Sequence, residues 1–262
     1  MGLQIGNHQL DSRFLLGTAG YPSPAILAES IRASGAQVLT LGLKRTLGTG
    51  ARDNGFVQII RDAAKDQGAQ LLPNTAGCRS AHEAVQLACM ARELLDTAWI
   101  KLEVVGDEQL LAPDPFELLD AAAQLVRLGF TVLPYCTDDL VLGQRLLDAG
   151  CAGLMPWGAP IGSGQGLLNP FALRALRARF PAATLIVDAG IGAPSQAAQA
   201  MELGFDGVLL NSAVALCGDP VRMAAAFAQA IAAGRAAFEA GPIAAQDLAV
   251  PSTPVSGRPF TL

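Results

Sequence analysis

The run Trp99-Ile100-Lys101-Leu102-Glu103-Val104-Val105 sets an amine and a carboxylate two positions apart inside an otherwise apolar segment. In an extended strand successive side chains alternate between faces, so Lys101 and Glu103 project one way while Ile100, Leu102 and Val104 project the other. Burying the pair costs free energy unless the two groups satisfy each other or serve chemistry. An amine held among apolar neighbours is a starting point for imine formation with a carbonyl, and a structural ion pair is the ordinary alternative. A free amine titrates near ~10.4, so attack at neutral pH needs the neutral form, which burial favours and Glu103 opposes. The expectation is that apolar strand neighbours desolvate Lys101 while Glu103 shuttles the proton of carbinolamine formation and dehydration.

A second set of residues suits an anion. Gly158, Gly162, Gly164 and Gly166 fall in WGAPIGSGQG, Ala189-Gly190-Ile191-Gly192 follows a later apolar run that ends in Asp188, and Asn211-Ser212 closes the next. Glycine-rich turns let backbone N–H groups converge on a phosphate, and a helix starting after Asn211-Ser212 adds a favourable dipole end. Any one of these clusters is equally a tight turn; three in consecutive loops point to a phosphate site.

These residues need elements to hold them, and the chain repeats one unit: a short Val/Ile/Leu-rich run, a Gly/Pro/Asn turn, then an amphipathic segment. The runs fall at 13–18, 37–43, 70–74, 99–105, 131–136, 153–157, 184–189 and 207–211. Helix starts are marked by Ser80 with Glu83, and by Asp114-Pro115, Asn169-Pro170 and Asp219-Pro220. Gly35, Gly68, Gly129, Gly150 and Gly204 mark their ends. Eight alternating units in ~250 residues predict right-handed crossovers, an all-parallel sheet and a closed (β/α)8 barrel of the TIM type. An open doubly wound sheet is the alternative, but no GxGxxG turn follows the first run. In such barrels, strand interiors and the loops at strand C-termini form the active site, which gathers Lys101, Glu103, Asp188, Asn211 and Ser212. Residues 1–241 are expected to form the barrel and 242–262 an irregular, proline-spaced tail. The stretch 47–55, LGTGARDNG, reads as a loop at the active face or a passive insertion.

Composition bounds the function classes. Of 262 residues, 51% are hydrophobic and 16% charged, and the net charge of −5 includes no basic block, which argues against nucleic acid as a partner. No stretch approaches the ~20 apolar residues of a membrane span, so a cytoplasmic location is expected. Cys78, Cys89, Cys136, Cys151 and Cys217 are scattered and form no CxxC pair; they read as reduced core thiols. With only His8 and His82, both read as surface residues, a metal site or a serine–histidine–aspartate triad lacks material.

The stretches LLPNTAGC (71–78), WIKLEVVGD (99–107), MPWGAPIGSGQG (155–166), VDAGIGAPSQAAQAMELG (187–204), GVLLNSA (207–213) and AAGRAAFEAG (232–241) occur in the order found in bacterial thiazole synthases of thiamine biosynthesis. The chain resembles that family from about residue 10 to 241. The resemblance implies a transferase that joins 1-deoxy-D-xylulose 5-phosphate, dehydroglycine and sulfur from a carrier-protein thiocarboxylate into the thiazole phosphate carboxylate, with no metal or organic cofactor. It implies Lys101 as the imine-forming residue and Glu103 and Asp188 as acid–base groups. It further implies Gly162, Gly164, Ala189, Gly190, Asn211 and Ser212 as sugar-phosphate contacts. It also implies a homo-oligomer that meets the sulfur carrier and a dehydroglycine-producing enzyme. Two positions depart from the family pattern: Ala19-Gly20 stands where the family commonly has a Gly-Lys pair, and Trp157 replaces the usual leucine beside the mouth. A lysine Schiff-base aldolase acting on a phosphorylated sugar fits the same strand amine and phosphate loops, and a non-catalytic phosphate-binding barrel is the reading from a different class.

Overall fold

A computed structural model describes residues 2–44 and 54–252. An antiparallel hairpin of β1 (Leu3–Ile5) and β2 (His8–Leu10) comes first, followed by β3 (Phe14–Gly17), α1 (Pro24–Ser34), β4 (Val38–Gly42) and α2 (Asn54–Gln67). The alternation continues through β5 (Gln70–Asn74), α3 (Ala81–Leu95) and β6 (Trp99–Leu102) to a small antiparallel excursion of β7 (Val105–Asp107) and β8 (Ala112–Pro113). It then runs through α4 (Pro115–Arg127), β9 (Thr131–Cys136), α5 (Leu140–Asp148), β10 (Met155–Pro156) and α6 (Pro170–Arg179). The last elements are β11 (Ile186–Asp188), α7 (Pro194–Glu202), β12 (Gly207–Leu210), α8 (Ser212–Ala215) and α9 (Pro220–Ala240).

Eight strands form one parallel sheet in the order β10-β9-β6-β5-β4-β3-β12-β11. Parallel bridges from Leu154 to Leu185 and from Trp157 to Asp188 bring its two ends together, and the result is a (β/α)8 barrel. The runs read from periodicity are its strands. The helices start where side chains cap them: Ser80 accepts from the Glu83 N–H, Asp114 from Phe116 and Glu117, Asn169 from Ala172, and Asp219 from Arg222. The five glycines read as helix ends all have positive φ, from 60° at Gly35 to 95° at Gly150.

Strand alternation divides the core into two layers. Outward residues such as Leu16, Leu39, Ile100, Leu102, Val132, Val187 and Val208 pack under the helices. Inward residues Leu15, Val38, Leu72, Trp99, Leu133, Met155, Ile186 and Leu209 fill the barrel interior. The opening hairpin, absent from the sequence reading, joins this inner layer: Leu3, Ile5 and Leu10 pack into it, the exposed His8 sets its ring edge-on to Trp99 at 5.1 Å, and Thr184 donates to Gln4 O at 2.7 Å. The hairpin therefore plugs the end where the strands begin, and the opposite end stays open.

Residues 242–252 carry no helix or strand. Of the predicted loop 47–55, residues 47–53 lie outside the described residues, while Asn54 and Gly55 begin α2.

Candidate active site

One inward step above the sealed layer, the side chains turn polar. On β6 Trp99 is followed by Lys101 and then Glu103, on β9 Leu133 by Tyr135, on β11 Ile186 by Asp188, and on β12 Leu209 by Asn211. The alternation that buries Ile100, Leu102 and Val104 against the helices thus aims Lys101 and Glu103 into the barrel. Each of the two is only 5% exposed, and Asp188 2%. Lys101 Nζ lies 3.0 Å from Glu103 Oε1 and 2.6 Å from Asp188 Oδ2. The Asp188 approach is a charge contact whose angles fall outside those of an aligned hydrogen bond, so Oδ2 has an ionic partner and no second one. The Tyr135 ring stands 5.7 Å from Nζ, and its buried hydroxyl has no hydrogen-bond partner.

The charge balance corrects the expectation that apolar neighbours hold the amine neutral. Burial pushes the Lys101 pKa down, but the charges of Asp188 and Glu103, both in close contact with the amine, more than reverse this and hold it above the ordinary value. The resting group is an ammonium. Burial raises Asp188 from 3.8 to about 6, with the Glu103 charge adding to the rise and Lys101 and the Ala189 N–H opposing it. Two carboxylates crowd one cation, and Asp188 is the member poised to take a proton near neutrality. Burial, aided by the same carboxylates, also raises Tyr135, which stays a neutral phenol.

Lys101, Glu103 and Asp188 form the floor of a cavity of about 900 Å³ whose walls include Gly17, Thr18, Thr40, Asn74, Gly162, Gly164, Ala189, Gly190, Asn211 and Ser212. The structure therefore brings the expected amine, carboxylates and glycine loops to one place. The loops after β10 and β11 pack backbone on backbone. A Cβ on Gly190 would meet Ala159 N at 2.3 Å, and one on Gly192 would meet Gly164 O at 2.6 Å. Gly162, Gly164 and Gly190 have φ of 75°, 66° and 81°, and Ala189 holds φ 70° despite its Cβ, a backbone strain located at the site itself. Gln196 Oε1 takes the N–H groups of Gly192 and Ala193.

Asn211 and Ser212 lie at the C-terminal end of β12. Asn211 Oδ1 accepts the Ala19 N–H at 3.2 Å, and its side chain fills the space where Gly17 lacks a Cβ, so it ties β12 to β3. The helix that opens at Ser212 has four residues, too short to develop the dipole of a full helix. Trp157 is part of the barrel seam, its N–H donating to Cys136 O at 3.0 Å.

Sequence reasoning missed three inward or rim residues. Asn74 pairs with Lys101 and Tyr135 lies one inward step beyond Leu133, which also pairs with Lys101, positions that strand alternation alone marks as inward, and Lys44 on the rim follows β4 by two residues. Cys78, Cys136 and Cys151 are buried, and Cys217 lines the cavity while its thiol donates to Val214 O at 3.1 Å. Among the described residues no cluster of His, Cys, Asp and Glu is arranged to hold a metal.

Comparison with known proteins identifies the family. The family described as Thiazole biosynthesis protein ThiG matches residues 4–254. The thiazole synthase of Coxiella burnetii (strain RSA 331 / Henzerling II) is 55% identical over 98% of both chains, and that of Brucella anthropi is 56% identical over 98% of this chain and 99% of its own. Among solved structures, the Amycolatopsis orientalis BexX/CysO complex contains a chain 30% identical, with a TM-score of 0.82 over 94% of this chain and 98% of that one. This chain belongs to the ThiG family of thiazole biosynthesis proteins, the thiazole synthases.

Proposed function

We propose that the chain condenses 1-deoxy-D-xylulose 5-phosphate with dehydroglycine and with sulfur from a carrier-protein thiocarboxylate, through an imine on Lys101. The observation that carries this reading is the Lys101 ammonium, buried between Glu103 and Asp188 on the floor of a cavity bordered by glycine loops. The sugar phosphate binds with its anionic end against the backbone of Gly162, Gly164, Ala189 and Gly190 and the start of α8 at Ser212, with Asn211 holding the first and last strands in register. Asp188 takes a proton from Lys101, and the freed amine adds to the ketone carbon to give a carbinolamine. Glu103 or protonated Asp188 returns a proton to the carbinolamine oxygen, water leaves, and the iminium remains.

The iminium is an electron sink, so a proton leaves the neighbouring carbon and the carbonyl moves along the chain. Sulfur from the carrier thiocarboxylate then enters, and condensation with dehydroglycine and loss of water close the ring. Fixing the phosphate makes these steps effectively intramolecular. The complex formed by the solved relative BexX with CysO supports a protein partner for this site. A homo-oligomer and a dehydroglycine-producing enzyme complete the proposed set of partners.

Borohydride reduction in the presence of deoxyxylulose phosphate tests the first step. The adduct is expected on the peptide containing Lys101, and Lys101→Arg is expected to abolish it. An adduct on a different lysine, or none, overturns the reading. Release of thiazole only when carrier thiocarboxylate is supplied separates this function from that of a sugar-phosphate aldolase.

A further inference from the structure

The buried triad and the glycine loops leave one wall of the cavity without a task. There β4 ends at Gly42, which pairs with Asn74 at the end of β5, and Asn74 pairs in turn with Lys101 on β6. Asn74 lines the cavity together with Lys44, two residues past the end of β4. The local loop fixes the Asn74 amide: Oδ1 accepts the Ala76 N–H at 3.3 Å, a role only the oxygen can fill. The Nδ2 donors have no partner among the described residues and are left to the cavity.

Lys44 supplies charge to the same wall. Its Nζ donates to Gly77 O at 2.7 Å and stands 3.7 Å from Glu83 Oε2. Both side chains of that pair are about half exposed, and such pairs contribute little, so the ammonium can be shared with a ligand at small cost. Among the described residues lining the cavity, Lys44 is the one cation outside the buried triad.

An amide donor and a cation lining one cavity wall are a set that recognises a small carboxylate. The loops suited to phosphate follow β10, β11 and β12, which lie across the barrel from β5. A phosphorylated ketone with its anion there and its carbonyl carbon at Lys101 leaves the wall at β4 and β5 open. We infer that Asn74 and Lys44 form the subsite for the carboxylate of the second, unphosphorylated substrate, the two-carbon imino acid. This inference rests on the function proposed above and adds the residues that hold its second reactant beside Lys101.

Two assays on the full chain with the carrier thiocarboxylate separate the possibilities. In the first, borohydride trapping reads half-saturation by deoxyxylulose phosphate alone. In the second, thiazole formation is followed while the imino acid, generated in solution from glyoxylate and ammonia, is varied. Asn74→Ala and Lys44→Met are each expected to raise half-saturation for the imino acid about tenfold, as loss of a charge-assisted hydrogen bond does, and Lys44→Arg to restore part of it. Trapping half-saturation is expected to stay within about twofold, which also reports an intact fold. A rise in the trapping value instead would assign the wall to the sugar phosphate and overturn the inference, as would no change in either assay. Absence of any Lys101 adduct in the unmodified protein would remove the proposed function itself, and this subsite with it.

Discussion

Asp188 concentrates the conflict between stability and chemistry in this molecule. Its carboxyl is raised from 3.8 to about 6 chiefly by burial, so the folded chain holds that proton more tightly than the unfolded chain does. The associated stability is fully present below pH 3.8 and is lost as pH rises to about 6. Ionised Asp188 therefore weakens the fold at neutral pH relative to its protonated form. An asparagine side chain at this position would resemble the protonated acid in shape and charge. Asp188→Asn is accordingly expected to melt higher than the unmodified protein at pH 7.5, with the difference shrinking toward pH 4, in thermal unfolding across that range. The same substitution removes the proposed proton acceptor for Lys101, so the borohydride-trapping rate is expected to fall by about 10²-fold or more and to lose its rise through pH 6. Unchanged trapping in Asp188→Asn would shift the acceptor role to Glu103. Lys101 was legible in the sequence because one charged residue in an apolar run declares its face. Asp188 joined it only through the barrel and the family resemblance, since their separation of 2.6 Å spans strands far apart in the chain. The resting charge of Lys101 was not legible at all, because it depends on how many carboxylates meet at one point.

At the level of elements, the eight strands followed from period and punctuation, while the hairpin that plugs the barrel did not. Its strands have three residues each, too short for alternation to register, although the Gly6-Asn7 turn between them is a recognised hairpin signal. The packing makes it part of the barrel: Leu3 and Ile5 are fully buried beneath the layer that carries Trp99 and Leu133. Ile5→Ala is expected to cost about 2–4 kcal/mol, since the hole opens into a closed interior that cannot collapse around it. In a chain of this size that corresponds to a fall of roughly 5–15 °C in Tm, measured by calorimetry. Half-saturation for the sugar phosphate should remain unchanged, because the hairpin lies at the opposite end of the strands from Lys101. A loss of binding with no loss of stability would contradict the plug. The excursion of β7 and β8 was also missed, because residues 99–105 read as one strand, whereas Val105 starts β7 and Gly106 lies against the backbone of Asp114, with a Cβ there meeting Asp114 N at 3.0 Å.

Across the whole molecule, the barrel closes between its two shortest strands. β10 has two residues and β11 three, and the join between them consists of bridges at Leu154–Leu185 and Trp157–Asp188 outside the long ladders. By contrast β4 and β5 are matched over five positions. The glycine loops that border the cavity emerge from this seam, and Trp157 and Asp188 belong to it, so a phosphate held between those loops, as proposed, spans the join that closes the barrel. Binding energy spent there stabilises the closed barrel as a unit, because a ligand that binds only the folded state adds RT ln(1 + [L]/Kd). At a hundredfold excess over Kd that is about 2.7 kcal/mol, or roughly 5–10 °C in Tm for a chain of this length. Hydrogen exchange locates the effect: the amides of Leu154 and Ile186, which donate to Thr184 O and Leu154 O, should slow on adding deoxyxylulose phosphate more than the β4 and β5 amides do. Uniform slowing across all eight strands would indicate global stabilisation with no special role for the seam. Slowing confined to β4 and β5 would move the phosphate to the opposite wall.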